Sequence, residues 1–115
     1  VMQGDTLRDP KILQGGNIAK FDCVIANPPF SLENWGATEW SSDKYKRNIY
    51  GTPSDSCGDY AWIQHMICSM SSSKGRMAVV MPQGILFRSS FRTDFDDRRF
   101  QNPNSKEGAE CFRRE

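Results

Sequence analysis

At 115 residues, with 15 lysines and arginines against 14 acidic residues, the chain carries a formal net charge of +1. That length holds one domain or a piece of one and is short for a complete doubly wound sheet. The near-neutral balance sets up no global basic field for nucleic acid, although it leaves room for a local patch. Four cysteines lie far apart with no Cys-x-x-Cys pair, and there is a single histidine. Those spacings do not suit zinc, so no metal site is expected, and a reducing cytoplasm fits better than a disulfide scaffold. No apolar run approaches the roughly eighteen residues of a membrane span, and no membrane partner is expected.

In chain order, Val1-Met2-Gln3-Gly4-Asp5 reads as the end of a strand entering a turn, with another element expected upstream. A polar connector follows, carrying Asp9-Pro10 and Gly15-Gly16. Phe21-Asp22-Cys23-Val24-Ile25-Ala26 is nearly continuous apolar sequence, the pattern of a strand covered on both faces, in which Cys23 counts as a small apolar residue. Pro28 and Pro29 lack backbone donors, so pairing must stop there. Residues 31–57 form a long loop rich in Ser, Asn, Gly and charge, with Trp35, Trp40, Tyr45 and Tyr50 scattered through it. A loop of that length inside a domain is functional or disordered.

The spacing predicts a helix from Asp59 to Ser71. Ser56-x-x-Asp59 supplies a capping signature, and Tyr60, Ile63, Met66, Ile67 and Met70 form one apolar stripe before Lys74-Gly75. Cys68 falls inside it, where a free thiol behaves as a small apolar residue. Residues 76–82 read as a second buried strand closed by Pro82, and strand, crossover helix, strand gives a right-handed α/β unit with parallel strands. Gln83-Gly84-Ile85-Leu86-Phe87 turns toward another element. From Ser89 the pattern fails, and residues 89–115 are expected to be an irregular or disordered tail.

The chemistry concentrates in Asn27-Pro28-Pro29-Phe30 at the carboxyl end of the first buried strand, where ligands of open parallel sheets bind. The exocyclic amino group of adenine is a poor nucleophile because its lone pair is delocalised into the ring. Acceptors aimed at both N–H bonds return density to nitrogen and stabilise the charge that develops on attack. The Asn27 side-chain oxygen and the Pro28 carbonyl are the candidate acceptors. The two prolines fix the local torsions, and Phe30 can stack on the ring for about 1–3 kcal/mol. The plainer reading of an isolated Asn-Pro-Pro is an ordinary proline turn.

These residues carry a resemblance. Gly4-Asp5-Thr6-Leu7, Phe21 through Ser31, Asp59-Tyr60-Ala61-Trp62-Ile63-Gln64-His65, and Gly75 through Pro82 running into Gly84-Ile85-Leu86-Phe87-Arg88 resemble, in order and spacing, the adenine-N6 DNA methyltransferases. Within that group they are most similar to the methylation subunit of type I restriction-modification systems. The resemblance implies a partial Rossmann-like S-adenosylmethionine-dependent methyltransferase fold, with residues 1–88 as the central part of the catalytic domain. It implies that Asn27, Pro28, Pro29 and Phe30 hold and activate a flipped adenine. It also implies that Asp5, with Thr6, Leu7 and Asn27, contacts S-adenosylmethionine, Asp5 accepting from its adenine amino group. DNA and the specificity and restriction subunits are the implied partners.

The family's glycine-rich cofactor loop and its acidic ribose-binding residue have no counterpart in the sequence and would lie before Val1, so the isolated chain is expected to be inactive. Two alternatives stand: a non-catalytic remnant or partner-binding module, and an amino-methyltransferase acting on RNA or protein glutamine.

Several residues keep two readings. Asp5 is a cofactor acceptor or a turn former bonding its own backbone, and Asp59 is a helix cap or a ligand contact. His65 is packed or solvated rather than catalytic. The cluster Trp35, Trp40, Lys44, Tyr45, Lys46, Arg47 and Tyr50 contacts phosphates and an extruded base, or is a solvated loop with anchoring aromatics.

Overall fold

Glycine governs the first regular element of the computed structural model, which describes residues 1–87. Gly15 and Gly16 adopt φ of 59° and 80°, the two left-handed positions of a tight hairpin turn. They join β1 (Leu13–Gln14) to β2 (Asn17–Ile18), with Leu13 opposite Ile18 and Gln14 opposite Asn17. The connector expected here is therefore a small antiparallel hairpin. The strand expected to end at Asp5 is not formed; residues 1–5 are exposed and outside any described strand.

β3 (Cys23–Ala26) pairs in parallel with β4 (Arg76–Val79), Cys23 lying opposite Arg76 and Ala26 opposite Val79. An isolated parallel bridge between Phe21 and Met70 extends the contact below the pair, and the Ser71 hydroxyl donates to the Asp22 carboxylate at 2.8 Å. Val80 N–H donates to the Ala26 carbonyl at 3.1 Å, the last rung before the prolines. The expectation of strands covered on both faces needs correcting. Val24, Ala26, Met77 and Val79 are half-buried, whereas Cys23, Ile25, Arg76 and Ala78 are exposed, Ile25 at 76%. A continuous apolar run marks a strand but does not say which face its neighbours cover. Cys23 is accordingly an exposed thiol.

Between the two strands lie α1 (Ala37–Ser41) and α2 (Asp59–Ser69). α2 begins where the spacing placed it and ends two residues sooner. Gly58 is its N-cap residue, without a side-chain cap bond, so Ser56 does not fill the capping role. A Cβ on Gly58 would lie 2.8 Å from Trp35 Cγ; the missing side chain lets the indole pack against the helix entry. Ile63 and Met66 of the expected stripe are buried, but so are Asp59, Ala61, Gln64 and Ser69. The reason is that α2 has two neighbours. It touches β4, and Ala61 joins Leu7, Trp35 and Trp40 in the apolar cluster.

Trp35 and Trp40 meet edge to face at 5.5 Å between centroids. A short 3-10 helix over Gln83–Phe87 follows β4, held by the Tyr60 hydroxyl on the Ile85 carbonyl. No described helix is long and apolar enough to cross a membrane. The tail expected over residues 89–115 lies outside the described residues.

Candidate functional site

Asn27 follows β3 directly. The Asn27, Pro29 and Phe30 side chains are exposed, Phe30 at 47%, while Pro28 is buried. The tetrad thus presents a carboxamide and a ring on a backbone that two prolines make stiff. Its exit is fixed from a distance. Ser31 takes a left-handed φ of 51°, a costly conformation for a residue with a Cβ. Its N–H donates to Asp59 Oδ1 at 2.8 Å, and Cys57 Sγ donates to Asp59 Oδ2 at 3.1 Å. The Asp59 carboxylate is wholly buried at the first turn of α2, where the helix dipole favours negative charge. Gly58 N–H donates to the Leu32 carbonyl at 2.9 Å, a second tie between the same two segments. Asp59 therefore fastens the tetrad's exit to α2, a role that neither the capping nor the ligand reading anticipated.

The Asp5 turn is built in the same way. Asp5 Oδ1 accepts from the Leu7 N–H at 3.1 Å and the Arg8 N–H at 3.0 Å, which is the turn-forming geometry. Its side chain is 49% exposed, and Oδ2 forms an ion pair with Arg8 Nη1 at 3.6 Å. Thr6 is half-buried, and Leu7 is 3% exposed in the apolar cluster. The Leu7 side chain thus supports the turn from below.

The loop residues sort into two groups. Trp35, Trp40 and Arg47 are at most 2% exposed, so of the two readings the anchoring one holds for the two tryptophans: with Arg47 they build the loop's own core instead of meeting phosphate or base. Lys44 and Lys46 are exposed, with the Lys44 ammonium 5.0 Å from the Tyr45 ring centroid. Arg47 Nε and Nη2 donate to the two Asp43 oxygens at 2.9 Å each, and its Nη1 and Nη2 donate to the carbonyls of Thr6 and Leu7 at 2.9 and 2.7 Å. The guanidinium lies 4.5 Å from the Trp40 ring centroid. Gln64 grips the loop further on, accepting from the Tyr50 N–H and donating to the Gly51 carbonyl, both at 3.0 Å.

Burial alone would raise the Asp43 carboxyl, but the Arg47 hydrogen bonds and charge outweigh it and hold it below the usual value. His65 is packed on α2 with Nδ1 3.2 Å from Arg47 Nη1. Burial first, and the Arg47 charge second, push its imidazole down to about 4, so it is neutral at physiological pH. Burial also raises the Cys68 thiol.

The parallel pair β3–β4 thus carries the Asn-Pro-Pro-Phe tetrad at the carboxyl end of β3. The profile of the N-6 DNA Methylase family matches residues 1–98, and the chain belongs to that family. The match runs past Arg88, where the resemblance read from the sequence stopped. The chain is 32% identical over 91 residues to the type I restriction enzyme MjaVII methylase subunit of Methanocaldococcus jannaschii, covering 74% of this chain and 15% of that one. It is 32% identical over 94 residues to the MjaVIII methylase subunit of the same organism, covering 76% and 16%. To the HindI methylase subunit of Haemophilus influenzae it is 35% identical over 65 residues, 56% and 14% of the two chains. The chain therefore spans a small part of the length of these relatives. Membership of the family implies that the α/β unit is a region of the S-adenosylmethionine-dependent methyltransferase fold.

Proposed function

We propose that this chain is a catalytic segment of a DNA methyltransferase that moves a methyl group from S-adenosylmethionine to N6 of adenine. We assign it to the methylation subunit of a type I restriction-modification enzyme. The observation that carries the reading is the exposed Asn27 carboxamide and Phe30 ring at the end of β3, on a tetrad whose exit the buried Asp59 holds. The Asn27 side-chain oxygen and the Pro28 carbonyl accept from the two N–H bonds of the target amine, which favours a pyramidal, nucleophilic nitrogen. Phe30 stacks on the base after it leaves the duplex, offsetting part of an unstacking cost of a few kcal/mol. Methylation of an amino group needs no strong base, which agrees with a packed, neutral His65.

The cofactor supplies an electrophilic methyl group when bound. The residues present suit one end of it. Asp5 Oδ2, half-exposed beside Arg8, is the acceptor for an amino group, since Oδ1 is committed to the Leu7 and Arg8 amides. Thr6 and Leu7 continue that turn, and Asn27 borders the reacting centre. DNA is the substrate, the specificity and restriction subunits are the partners, and the setting is the cytoplasm.

The test is Asn27→Ala in a complete methylase subunit carrying these residues, assayed for methyl transfer to duplex DNA, RNA and protein. Loss of transfer to duplex DNA with cofactor binding largely retained is expected. Undiminished transfer by the variant overturns the role of Asn27, and a wild-type protein that prefers RNA or protein overturns the substrate.

A further inference from the structure

We infer that Arg47 is a positioning residue for the cofactor turn and couples that turn to the loop bearing Lys44 and Lys46. The inference rests on the reading of Asp5 as a cofactor acceptor. The Arg47 side chain is 1% exposed. All its guanidinium nitrogens are engaged, and two bonds go to main-chain carbonyls about forty residues away, those of Thr6 and Leu7 next to Asp5. No apolar side chain could fix those carbonyls in direction, because dispersion contacts have no orientation and hydrogen bonds do.

On the loop side the same residue is equally constrained. Its own N–H donates to Asp43 Oδ2 at 2.8 Å, and the Lys46 N–H donates to the Asp43 carbonyl at 3.0 Å. Lys46, the adjacent residue, holds a left-handed φ of 55°. A strained non-glycine residue persists only where its surroundings over-determine it. Here the Asp43–Arg47 ion pair, the stack on Trp40 and the two carbonyl bonds do so. The exposed Lys44 and Lys46 are thus two of the last few residues before a rigid strut that ends on the cofactor turn. A backbone shift at Lys46 on contact with phosphate moves the Arg47 guanidinium, and the Thr6 and Leu7 carbonyls move with it. Linkage makes the coupling reciprocal: cofactor held at Asp5 sets the loop, and DNA on the loop sets the turn.

The experiment measures the dissociation constant of S-adenosylmethionine, with and without cognate duplex, for a complete subunit and its Asp5→Ala, Arg47→Lys and Asp43→Asn variants. Lysine keeps the charge, but its single nitrogen cannot span the Asp43, Thr6 and Leu7 acceptors that three guanidinium nitrogens now hold. Arg47→Lys is expected to weaken cofactor binding about tenfold, the scale of one charge-assisted hydrogen bond, and to bring the ratio of the two constants close to one. A merely structural Arg47 lowers the melting temperature and leaves that ratio unchanged, and this result overturns the inference. If Arg47→Lys does not fold, Asp43→Asn serves in its place. It retains the Trp40 stack and loosens the strut, and an unchanged ratio there is equally fatal. Asp5→Ala separates the two levels. Wild-type cofactor affinity in that variant overturns the reading of Asp5, whereas lost affinity there with an intact ratio in the Arg47 and Asp43 variants overturns the strut alone.

Discussion

Removing the Asp59 carboxylate sets two opposing energies against each other at the tetrad's exit. Ser31 sits at φ 51°, which costs a non-glycine residue about 1–2 kcal/mol. Its N–H bond to Asp59 Oδ1, at 2.8 Å to a fully buried carboxylate, is charge-assisted and contributes about 1.5–3 kcal/mol. The bond is the larger quantity, so it keeps Ser31 left-handed. In Asp59→Ala the balance reverses, Ser31 relaxes toward the ordinary region and the chain leaves Phe30 in a new direction. A displacement near 1 Å at a reacting centre costs about 10²-fold in rate. On the function proposed above, a complete methylase subunit carrying Asp59→Ala is therefore expected to lose kcat for DNA methylation by about that factor while its cofactor dissociation constant holds. Asp59→Asn keeps an acceptor of about half the strength and loses far less. The double variant Asp59→Ala with Ser31→Gly supplies the decisive comparison. Glycine adopts φ near 50° without penalty, so the exit can keep its direction without the bond and much of the kcat returns. Wild-type kcat in the single variant, or no recovery in the double one, refutes the reasoning.

The Gly58→Ala variant adds a Cβ that lies 2.8 Å from Trp35 Cγ and 3.2 Å from Trp35 Cβ. These atoms sit at the root of a buried indole and have no room to retreat, so urea denaturation should register a loss of about 1–3 kcal/mol. His65 makes stability depend on pH. Its imidazole is pushed from 6.5 to about 4 in the folded state, so between those values the unfolded chain binds the extra proton and stability falls as pH is lowered. The full shift corresponds to about 3 kcal/mol as an upper figure. The loss should be complete near pH 4, and a His65→Gln variant compared by denaturant melts should lack it. Asp43 acts lower still: its carboxyl is held below 3.8, so its contribution is lost only as pH falls beneath that value.

What could be read in advance was what local pattern encodes. The apolar run before Asn27, the period of residues 59–69 and the glycine-to-proline segment 75–82 place β3, α2 and β4, because strand and helix periodicities are properties of neighbouring residues. The tetrad's place at the end of β3 follows from the same signals. The hairpin at Gly15-Gly16 is hard to read although the dipeptide is its signature, since two-residue strands leave no alternation to read. The loop was ambiguous for a different reason. Tryptophan, tyrosine and arginine interleaved describe a surface that meets nucleic acid and equally a small core closed by a stacked guanidinium. The partners that decide between them, the carbonyls of Thr6 and Leu7, are main-chain atoms with no signature in sequence. Asp59 was opaque on the same ground, because its partner is the amide of Ser31 and any residue but proline would offer one.

One physical cause lies behind the loop and Asp59, and it explains how the site is held. Asp59, Gln64 and Arg47 are fully buried polar side chains on or against α2, and each bonds the backbone of a different irregular segment: the tetrad's exit, the turn at Tyr50-Gly51, and the Asp5 turn. A loop cannot enter an apolar core without stranding its amides and carbonyls, so segments that carry exposed chemistry on one side must be met by polar groups on the other. Burying those polar groups adds little net stability, because desolvation offsets much of the gain. What they fix is direction. Apolar residues at these three positions could keep α2 packed, yet they would leave the tetrad, the loop and the turn free to rotate against one another. A transfer site of the kind proposed tolerates little such freedom, and here three hydrogen-bonding side chains arranged around one helix limit it.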